Sequence, residues 1–203
     1  SNGFSQFNPT DRSFHHYISG NGNIPYTGEI GSFTETPDGT IWAATESTGL
    51  LKVNPQQNQV RIISKGKSDP GISILGGIHR IITDRSGYIW LASLYAGIAK
   101  FDPRTESATF FQHSMADQSS LSSNKVSDIF EDMNGDIWVA TIEGLNFYDK
   151  YSEQFVRYTR QNTNLPEDIV ISVYQSQEKK YWVGTMSGLA SGMRTDFQKF
   201  DQA

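Results

Sequence analysis

The sequence predicts an all-β fold built from about four and a half copies of a four-stranded antiparallel sheet. Four tryptophans recur at intervals of 48, 48 and 44 residues, at Trp42, Trp90, Trp138 and Trp182. Aromatic residues make up 12% of the chain, and 18 glycines favour β-structure with many tight turns. No segment has the apolar period of an amphipathic helix. The regular spacing indicates one supersecondary unit repeated along the chain.

Several positions recur in register with the tryptophan. The first strand of each unit starts twelve residues before it, at Ile30, Ile78, Val126 and Val170. A glycine stands three residues before it, at Gly39, Gly87 and Gly135, where the fourth unit has Lys179 instead. These glycines suit a hairpin turn that needs a positive φ. A glycine and an apolar residue then open the third strand, and a short aromatic stretch such as "ATFFQH" is typical of the fourth.

The second strand, "IWAAT" in the first complete unit, explains why tryptophan recurs. Successive side chains point to opposite faces of a sheet, so Trp42 and Ala44 share one face and Ile41 and Ala43 the other. Both faces are apolar, as a sheet packed between two others requires. We therefore expect the four tryptophans and the turn glycines to be structural residues that contact no ligand.

Units of this length and composition predict a β-propeller, in which each sheet forms one blade. We expect a single propeller fragment over residues 1–203, with a half blade at 3–18 and blades at about 29–64, 77–113, 125–159 and 169–200. Closed propellers have roughly four to eight blades. The open ends would expose apolar faces, which predicts self-association through them, for example as a dimer.

Composition excludes several classes of protein. The net charge of −5 and the pI near 5.3 argue against a nucleic-acid binder, which needs a basic face. The chain has no cysteine, which excludes disulfides, thiolate metal sites and cysteine nucleophiles. No apolar run is long enough to span a membrane, and the start, "SNGFSQF", has no feature of a signal peptide and is not expected to be a natural N-terminus.

The best preserved unit, Ile129 to Asp149, has the pattern I-x-E-D-x-x-G-x-I-W-x-A-T-x-x-G-L-x-x-Y-D. This pattern resembles the two-component regulator propeller repeat. The resemblance extends from Gly3 to about Phe200 and departs from the family in the last unit, where "QEKKYW" lacks the turn glycine.

The resemblance implies a periplasmic sensor region of a hybrid two-component histidine kinase from a polysaccharide-degrading bacterium. Ligands in that family are oligosaccharides, and the kinase, a membrane helix and an immunoglobulin-like domain follow the propellers. The implied function of this chain is to help recognise an oligosaccharide and to signal to a kinase outside it. Neighbouring receptor domains are then its expected partners.

Two sets of segments are expected to line a ligand site: those that lead into the first strand of each unit and the loops joining strands two and three. Aromatic faces together with hydrogen-bonding groups suit a sugar, and Arg80 or Lys125 would suit an acidic one. The candidate ligand-binding residues are Tyr26, His79, Arg80, Tyr95, Asn124, Lys125 and Glu143.

Catalytic and metal sites are not expected. The histidines lie in different units apart from the adjacent pair His15 and His16, whose side chains point to opposite faces of a strand. Asp132, Asn134 and Asp136 imitate the start of an EF-hand loop, but turn formation explains them better. We expect no metal, no cofactor and no enzymatic activity. Two alternatives remain: a structural propeller that contacts no ligand, and a lyase or glycosidase built on the same blades.

Overall fold

A computed structural model describes residues 3–18, 29–46, 48–57, 59–63 and 71–194. The described residues form 17 β-strands and one short 3₁₀ helix at Ile72–Leu75, which agrees with the all-β prediction. No helix among them is long and apolar enough to cross a membrane.

The strands form five sheets, in each of which consecutive strands are neighbours. The half blade consists of β1 (Gly3–Asn8) and β2 (Ser13–Ile18). Blade 1 contains β3 (Ile30–Glu35), β4 (Ile41–Thr45), β5 (Gly49–Asn54) and β6 (Gln59–Ile62). Blade 2 contains β7 (Ile78–Thr83), β8 (Ile89–Ser93), β9 (Ile98–Asp102) and β10 (Ser107–Phe111).

Blade 3 contains β11 (Val126–Glu131), β12 (Ile137–Thr141), β13 (Gly144–Asp149) and β14 (Gln154–Tyr158). Blade 4 has three described strands, β15 (Val170–Gln175), β16 (Tyr181–Thr185) and β17 (Gly188–Gly192). The end predicted for this blade, residues 195–200, lies outside the described residues. The chain divides into two compact units, each larger than one blade. The first unit is Ser1–Leu91 with Phe101–Ala108, and the second unit is Ala92–Lys100 with Thr109–Ala203. From here on, "unit" means one of these two parts, and each repeat is called a blade.

The tryptophan of strand two lies in the core of three blades. Trp42, Trp90 and Trp138 are 0–1% exposed, whereas Trp182 is 36% exposed. In the first unit the ring of Trp42 meets that of Phe101 edge to face, with centroids 5.3 Å apart. In the second unit Trp138 lies 4.9 Å from Tyr181, which belongs to the second strand of blade 4. Trp42 and Trp138 therefore each pack against the blade that follows.

An acidic residue six positions before the tryptophan ties it to the turn between strands one and two. In blade 3, Oδ1 of Asp132 accepts the backbone N–H groups of Asn134 and Asp136. Oδ2 accepts the indole N–H of Trp138 at 3.0 Å and the hydroxyl of Tyr181 at 2.6 Å. Because all of these donors point at one buried carboxylate, a single residue joins the turn, the core and the next blade.

The same arrangement occurs in blade 2, where the carboxylate accepts one hydrogen bond fewer. Asp84 accepts the indole N–H of Trp90 at 2.8 Å and the backbone N–H groups of Ser86 and Tyr88. In blade 1 the hydroxyl of Thr36 takes the place of the carboxylate and accepts the indole N–H of Trp42 at 3.1 Å. Either a carboxylate or a hydroxyl can therefore serve as the hydrogen-bond acceptor for the buried indole N–H.

The turn of blade 4 keeps its geometry without glycine. Gly39, Gly87 and Gly135 have φ angles of +80°, +84° and +78°, and Lys179 takes the same position at +62°. The N–H of Lys179 donates to the carbonyl of Ser176, as that of Gly135 does to Asp132. The chain therefore accepts left-handed backbone strain at a lysine to keep the hairpin.

We predict that Asp132→Asn lowers the free energy of unfolding by about 3 kcal/mol, because an amide N–H then faces the buried donors of Trp138 and Tyr181 or of the turn. Asp84→Asn is the matched control and should cost less, since Asp84 lacks the tyrosine partner. Urea unfolding curves of both variants measure the difference. An equal or smaller loss for Asp132→Asn would contradict this account.

The free energy of unfolding should also fall in acid, because protonation of Asp132 removes its contribution. Burial raises the pKa of this carboxyl, but the hydrogen bonds from Tyr181, Trp138 and the turn outweigh it and hold the pKa below the ordinary value of 3.8. The contribution is therefore complete above the unfolded-state pKa and is lost as the pH falls through the lower pKa of the folded state. The free energy of unfolding, measured from unfolding curves between pH 5 and about pH 2, should fall less steeply with decreasing pH for Asp132→Asn than for the unaltered protein.

Replacing the strained lysine should stabilise blade 4. Lys179→Gly should raise the free energy of unfolding by about 1 kcal/mol, because glycine adopts a positive φ without steric cost. The reciprocal change, Gly135→Lys, should lower it by a similar amount, and thermal melts of both variants measure the pair. A loss of stability in Lys179→Gly would show that its side chain, and not the backbone, matters at this turn.

Candidate functional site

The segments predicted to line a ligand site meet at one end of each blade. The backbone N–H just after strand two donates to the carbonyl just before strand one: Glu46 to Glu29, Ile142 to Lys125, and Met186 to Ile169. In the second unit, the glycine before or at the start of strand three also donates to the next blade, Gly97 to Asn124 at 2.9 Å and Gly144 to Asp168 at 2.7 Å. These bonds bring the loops of successive blades together.

The second unit gathers four of the predicted residues at this end. Tyr95, Lys125 and Glu143 are exposed, with 72% of Tyr95 accessible. Asn124 differs, because its side-chain oxygen accepts the backbone N–H of His113 at 2.7 Å. Three side chains are therefore open to a ligand, while the amide oxygen of Asn124 serves the loop that connects blades 2 and 3.

The other predicted residues belong to the first unit. His79 is half-buried and Arg80 is exposed, both near the start of β7. A Cβ atom on Gly31 would lie 3.1 Å from the backbone carbonyl oxygen of His79, so β3 and β7 approach closely here. Tyr26 lies outside the described residues.

A polar cleft of about 530 Å³ lies at the opposite end of blade 3, where the turns between strands one and two and between strands three and four meet. We call it the Tyr151 cleft. It is lined by two basic, two acidic, two aromatic and one amide side chain: Lys150 and Arg194, Asp136 and Asp149, Phe147 and Tyr151, and Asn134. All seven belong to the second unit.

Charges in the Tyr151 cleft are paired. Arg194 donates to Oδ2 of Asp136, and its guanidinium lies 4.1 Å from the centroid of the Phe147 ring. Lys150 lies 3.7 Å from Oδ1 of the same carboxylate. Both cations therefore share one acid, which holds the wall of the cleft together.

The ring of Tyr151 is 90% exposed beside these charges. Its backbone N–H donates to Asp149 at 3.0 Å, and the hydroxyl of Ser152 donates to the same carboxylate at 2.8 Å. These hydrogen bonds hold the pKa of Asp149 below its usual value. The carboxylate thus stays ionised at neutral pH and keeps the turn that presents the ring.

The predicted ligand-binding residues include none from the segment "DKYS", which forms the turn between strands three and four of blade 3. The available signal was the aromatic residue itself, since the corresponding turns "NPQQ" and "DPRT" have Gln56 and Arg104 at this position. Arg194 gave no signal, because it comes from the end of blade 4 and reaches the cleft only in the folded protein.

Two further clefts lie in the first unit. One, of about 320 Å³, includes Trp42 and Arg104 and repeats the position of the Tyr151 cleft between blades 1 and 2. The other, of about 230 Å³, is apolar and is lined by Phe4, Tyr17 and Phe33 among others. Burial raises the pKa of Tyr17 at this second cleft.

No group of three or more acidic, histidine or cysteine side chains in the described part of the chain is arranged to hold a metal ion. The EF-hand-like residues serve the turn: both carboxylate oxygens of Asp132 accept protein hydrogen bonds, as described above.

Comparison with known proteins agrees with the propeller fold. Residues 120–143, which include the first two strands of blade 3, match the family described as two component regulator propeller. No curated protein matches the chain significantly.

Two solved structures of high similarity are extracellular domains of putative hybrid two-component systems from Bacteroides thetaiotaomicron. One is 21% identical with a TM-score of 0.72 and is matched over 85% of this chain. The other is 18% identical with a TM-score of 0.72 over 94%. The chain spans about a quarter of each, 24% of their length.

Virginiamycin B lyase from Staphylococcus aureus is similar at 12% identity, with a TM-score of 0.66 over 95% of this chain and 63% of the lyase. Likenesses at these identities show a common fold, and the repeat itself is recognised in blade 3. The chain has the β-propeller fold of these structures, and its residues 120–143 match the two component regulator propeller repeat.

Proposed function

We propose that this chain is a non-catalytic propeller module in the extracytoplasmic part of a hybrid two-component sensor. It helps recognise an oligosaccharide, and a histidine kinase outside the chain responds. The regulator propeller repeat and the likeness to extracellular domains of hybrid two-component systems support this assignment. A periplasmic location follows from the same proposal.

The observation that carries the ligand class is the exposed ring of Tyr151 in a polar cleft. A sugar ring has an apolar face that stacks on an aromatic side chain and hydroxyls that both donate and accept hydrogen bonds. The Tyr151 cleft supplies donors at Lys150 and Arg194 and acceptors at Asp136 and Asp149. Its volume lies in the range of small-ligand pockets.

The charge balance favours a neutral sugar over an acidic one. Two cations face two carboxylates in the Tyr151 cleft, and both cations already contact Asp136. A carboxylate or sulfate would have to compete with that residue for Lys150 and Arg194, whereas hydroxyls add hydrogen bonds without displacing it. The other end of the second unit, with Tyr95 and Lys125, is the alternative location for the same ligand.

A structural role without ligand contact is the second candidate function. It is favoured by the 36% exposure of Trp182, which leaves an apolar sheet face available for protein packing. The likeness to a lyase supports the shared fold and no activity, so an enzyme is not proposed.

We predict that calorimetric titration with size-fractionated neutral oligosaccharides gives saturable heat, and that Tyr151→Ala weakens the affinity at least tenfold, or about 1.4 kcal/mol. Tyr95→Ala is the matched control, because it removes an exposed turn tyrosine from the other end of the same unit. Neither change should alter the melting temperature, since both rings face solvent.

The reverse result, in which Tyr95→Ala alone weakens binding, would move the site to the end where strand one begins. Heat only with acidic pools would contradict the charge argument. The absence of binding heat with every pool, measured on protein that melts cooperatively, would support the structural role instead.

A further inference from the structure

The turn between strands one and two of blade 3 contains the dipeptide Asn134-Gly135. An asparagine that precedes glycine is prone to deamidation, because glycine has no side chain to keep its backbone nitrogen away from the asparagine carboxamide. The side chain of Asn134 is exposed and lines the Tyr151 cleft. Within the described part of the chain, Asn134 forms a hydrogen bond through its backbone N–H, to Asp132, and none through its carboxamide.

The hydrogen bonds of the turn hold the reacting atoms apart. The N–H of Gly135, whose nitrogen would attack, donates to the carbonyl of Asp132 at 3.0 Å. The N–H groups of Asn134 and Asp136 donate to Oδ1 of Asp132 at 2.8 Å and 3.0 Å. Ring closure requires the Gly135 nitrogen to lose its proton and to turn towards Cγ of Asn134, which breaks the first of these bonds. The reaction therefore needs the turn to open.

Blade 4 holds the same turn through Gln175. Oε1 of this residue accepts the N–H of Met133 at 2.8 Å, and its side chain is buried. Met133 directly precedes Asn134, so the bond restrains the turn at the residue next to the reactive one. Removing this acceptor takes away a hydrogen bond that exists only in the closed turn, and opening then costs less free energy.

Blade 1 has the related dipeptide Asp38-Gly39 at the same position, but its side chain is less reactive. Oδ1 of Asp38 accepts the hydroxyl of Thr36 at 2.7 Å and the N–H of Thr40 at 3.0 Å. These hydrogen bonds hold the pKa of Asp38 below its ordinary value, so the carboxyl group is ionised at neutral pH. A nitrogen nucleophile attacks a carboxylate less readily than a neutral carboxamide. The chemistry therefore selects blade 3 over blade 1.

We propose that Asn134 is a site of spontaneous deamidation whose rate is set by the opening of the blade 3 turn. The Gly135 nitrogen bonds to Cγ of Asn134, the bond from Cγ to Nδ2 breaks, and ammonia leaves with the proton from Gly135. Water then opens the cyclic imide to aspartate or isoaspartate, without oxidation or reduction. Either product adds a third carboxylate to the two acidic and two basic side chains of the Tyr151 cleft, so the balanced lining becomes acidic.

The test follows residue 134 in the folded 203-residue chain during incubation at neutral pH. Trypsin then releases the peptide 126–150, because Lys125 precedes it and Lys150 ends it. Liquid chromatography with mass spectrometry separates the asparagine, aspartate and isoaspartate forms of this peptide. The same peptide, incubated free in the same buffer, is the unfolded reference. Deamidation should be at least about tenfold slower in the folded chain, because the turn must first open.

Two variants show whether the turn controls the rate. Gln175→Ala removes the acceptor of the Met133 N–H and should speed deamidation of the folded chain at least about fivefold. Ser152→Ala is the matched control, because it removes a hydrogen bond to Asp149 from the other turn of the Tyr151 cleft. Its deamidation rate should equal that of the unaltered chain. Cooperative melting of each variant shows that it remains folded.

Several results would overturn the proposal. Equal rates in the folded chain and the free peptide would mean that the turn gives no protection, and an unchanged rate in Gln175→Ala would remove blade 4 from its control. Isoaspartate formed at Asp38 as fast as at residue 134 would contradict the selection of blade 3. If residue 134 remained asparagine in the chain and in both variants after the free peptide had reacted completely, the folded protein would have no such site.

Discussion

The structure depends on one contact, the burial of a strand-two tryptophan against the next sheet. The indole needs a hydrogen-bond acceptor inside the protein, since an unsatisfied buried N–H costs about 1–3 kcal/mol. The residue six positions earlier supplies it, as Asp132 does for Trp138. That carboxylate also accepts hydrogen bonds from the backbone N–H of the turn and from the hydroxyl of Tyr181. The hairpin, the core and the blade interface therefore form together.

The same contact explains why the first and last described sheets differ from those between them. A sheet with two apolar faces is satisfied only when another sheet lies on each side. Trp182 has the register of the buried tryptophans and yet remains partly exposed, and Phe7 and Phe14 are exposed at the other end of the described chain. Exposed apolar groups of this size usually mark a surface for protein contact.

Turns that are held by a single acidic residue leave neighbouring positions free to vary. Asp149 fixes the turn between strands three and four through two hydrogen bonds, and the next residues are then open to solvent. Tyr151 occupies one of these positions, where its ring faces outward without a cost to the fold. A ligand site assembled from turns is therefore compatible with a strictly repeated core.

Local sequence determined the repeat itself. The alternation in "IWAAT", the turn glycines and the spacing of the tryptophans all act within a few residues, so the strands and hairpins follow from them. Long-range packing decided the rest. Whether Trp182 is covered depends on a sheet beyond its own, the engagement of Asn124 depends on His113, and the Tyr151 cleft needs Arg194 from the end of blade 4. Such contacts join residues far apart in the chain, and no local pattern specifies them.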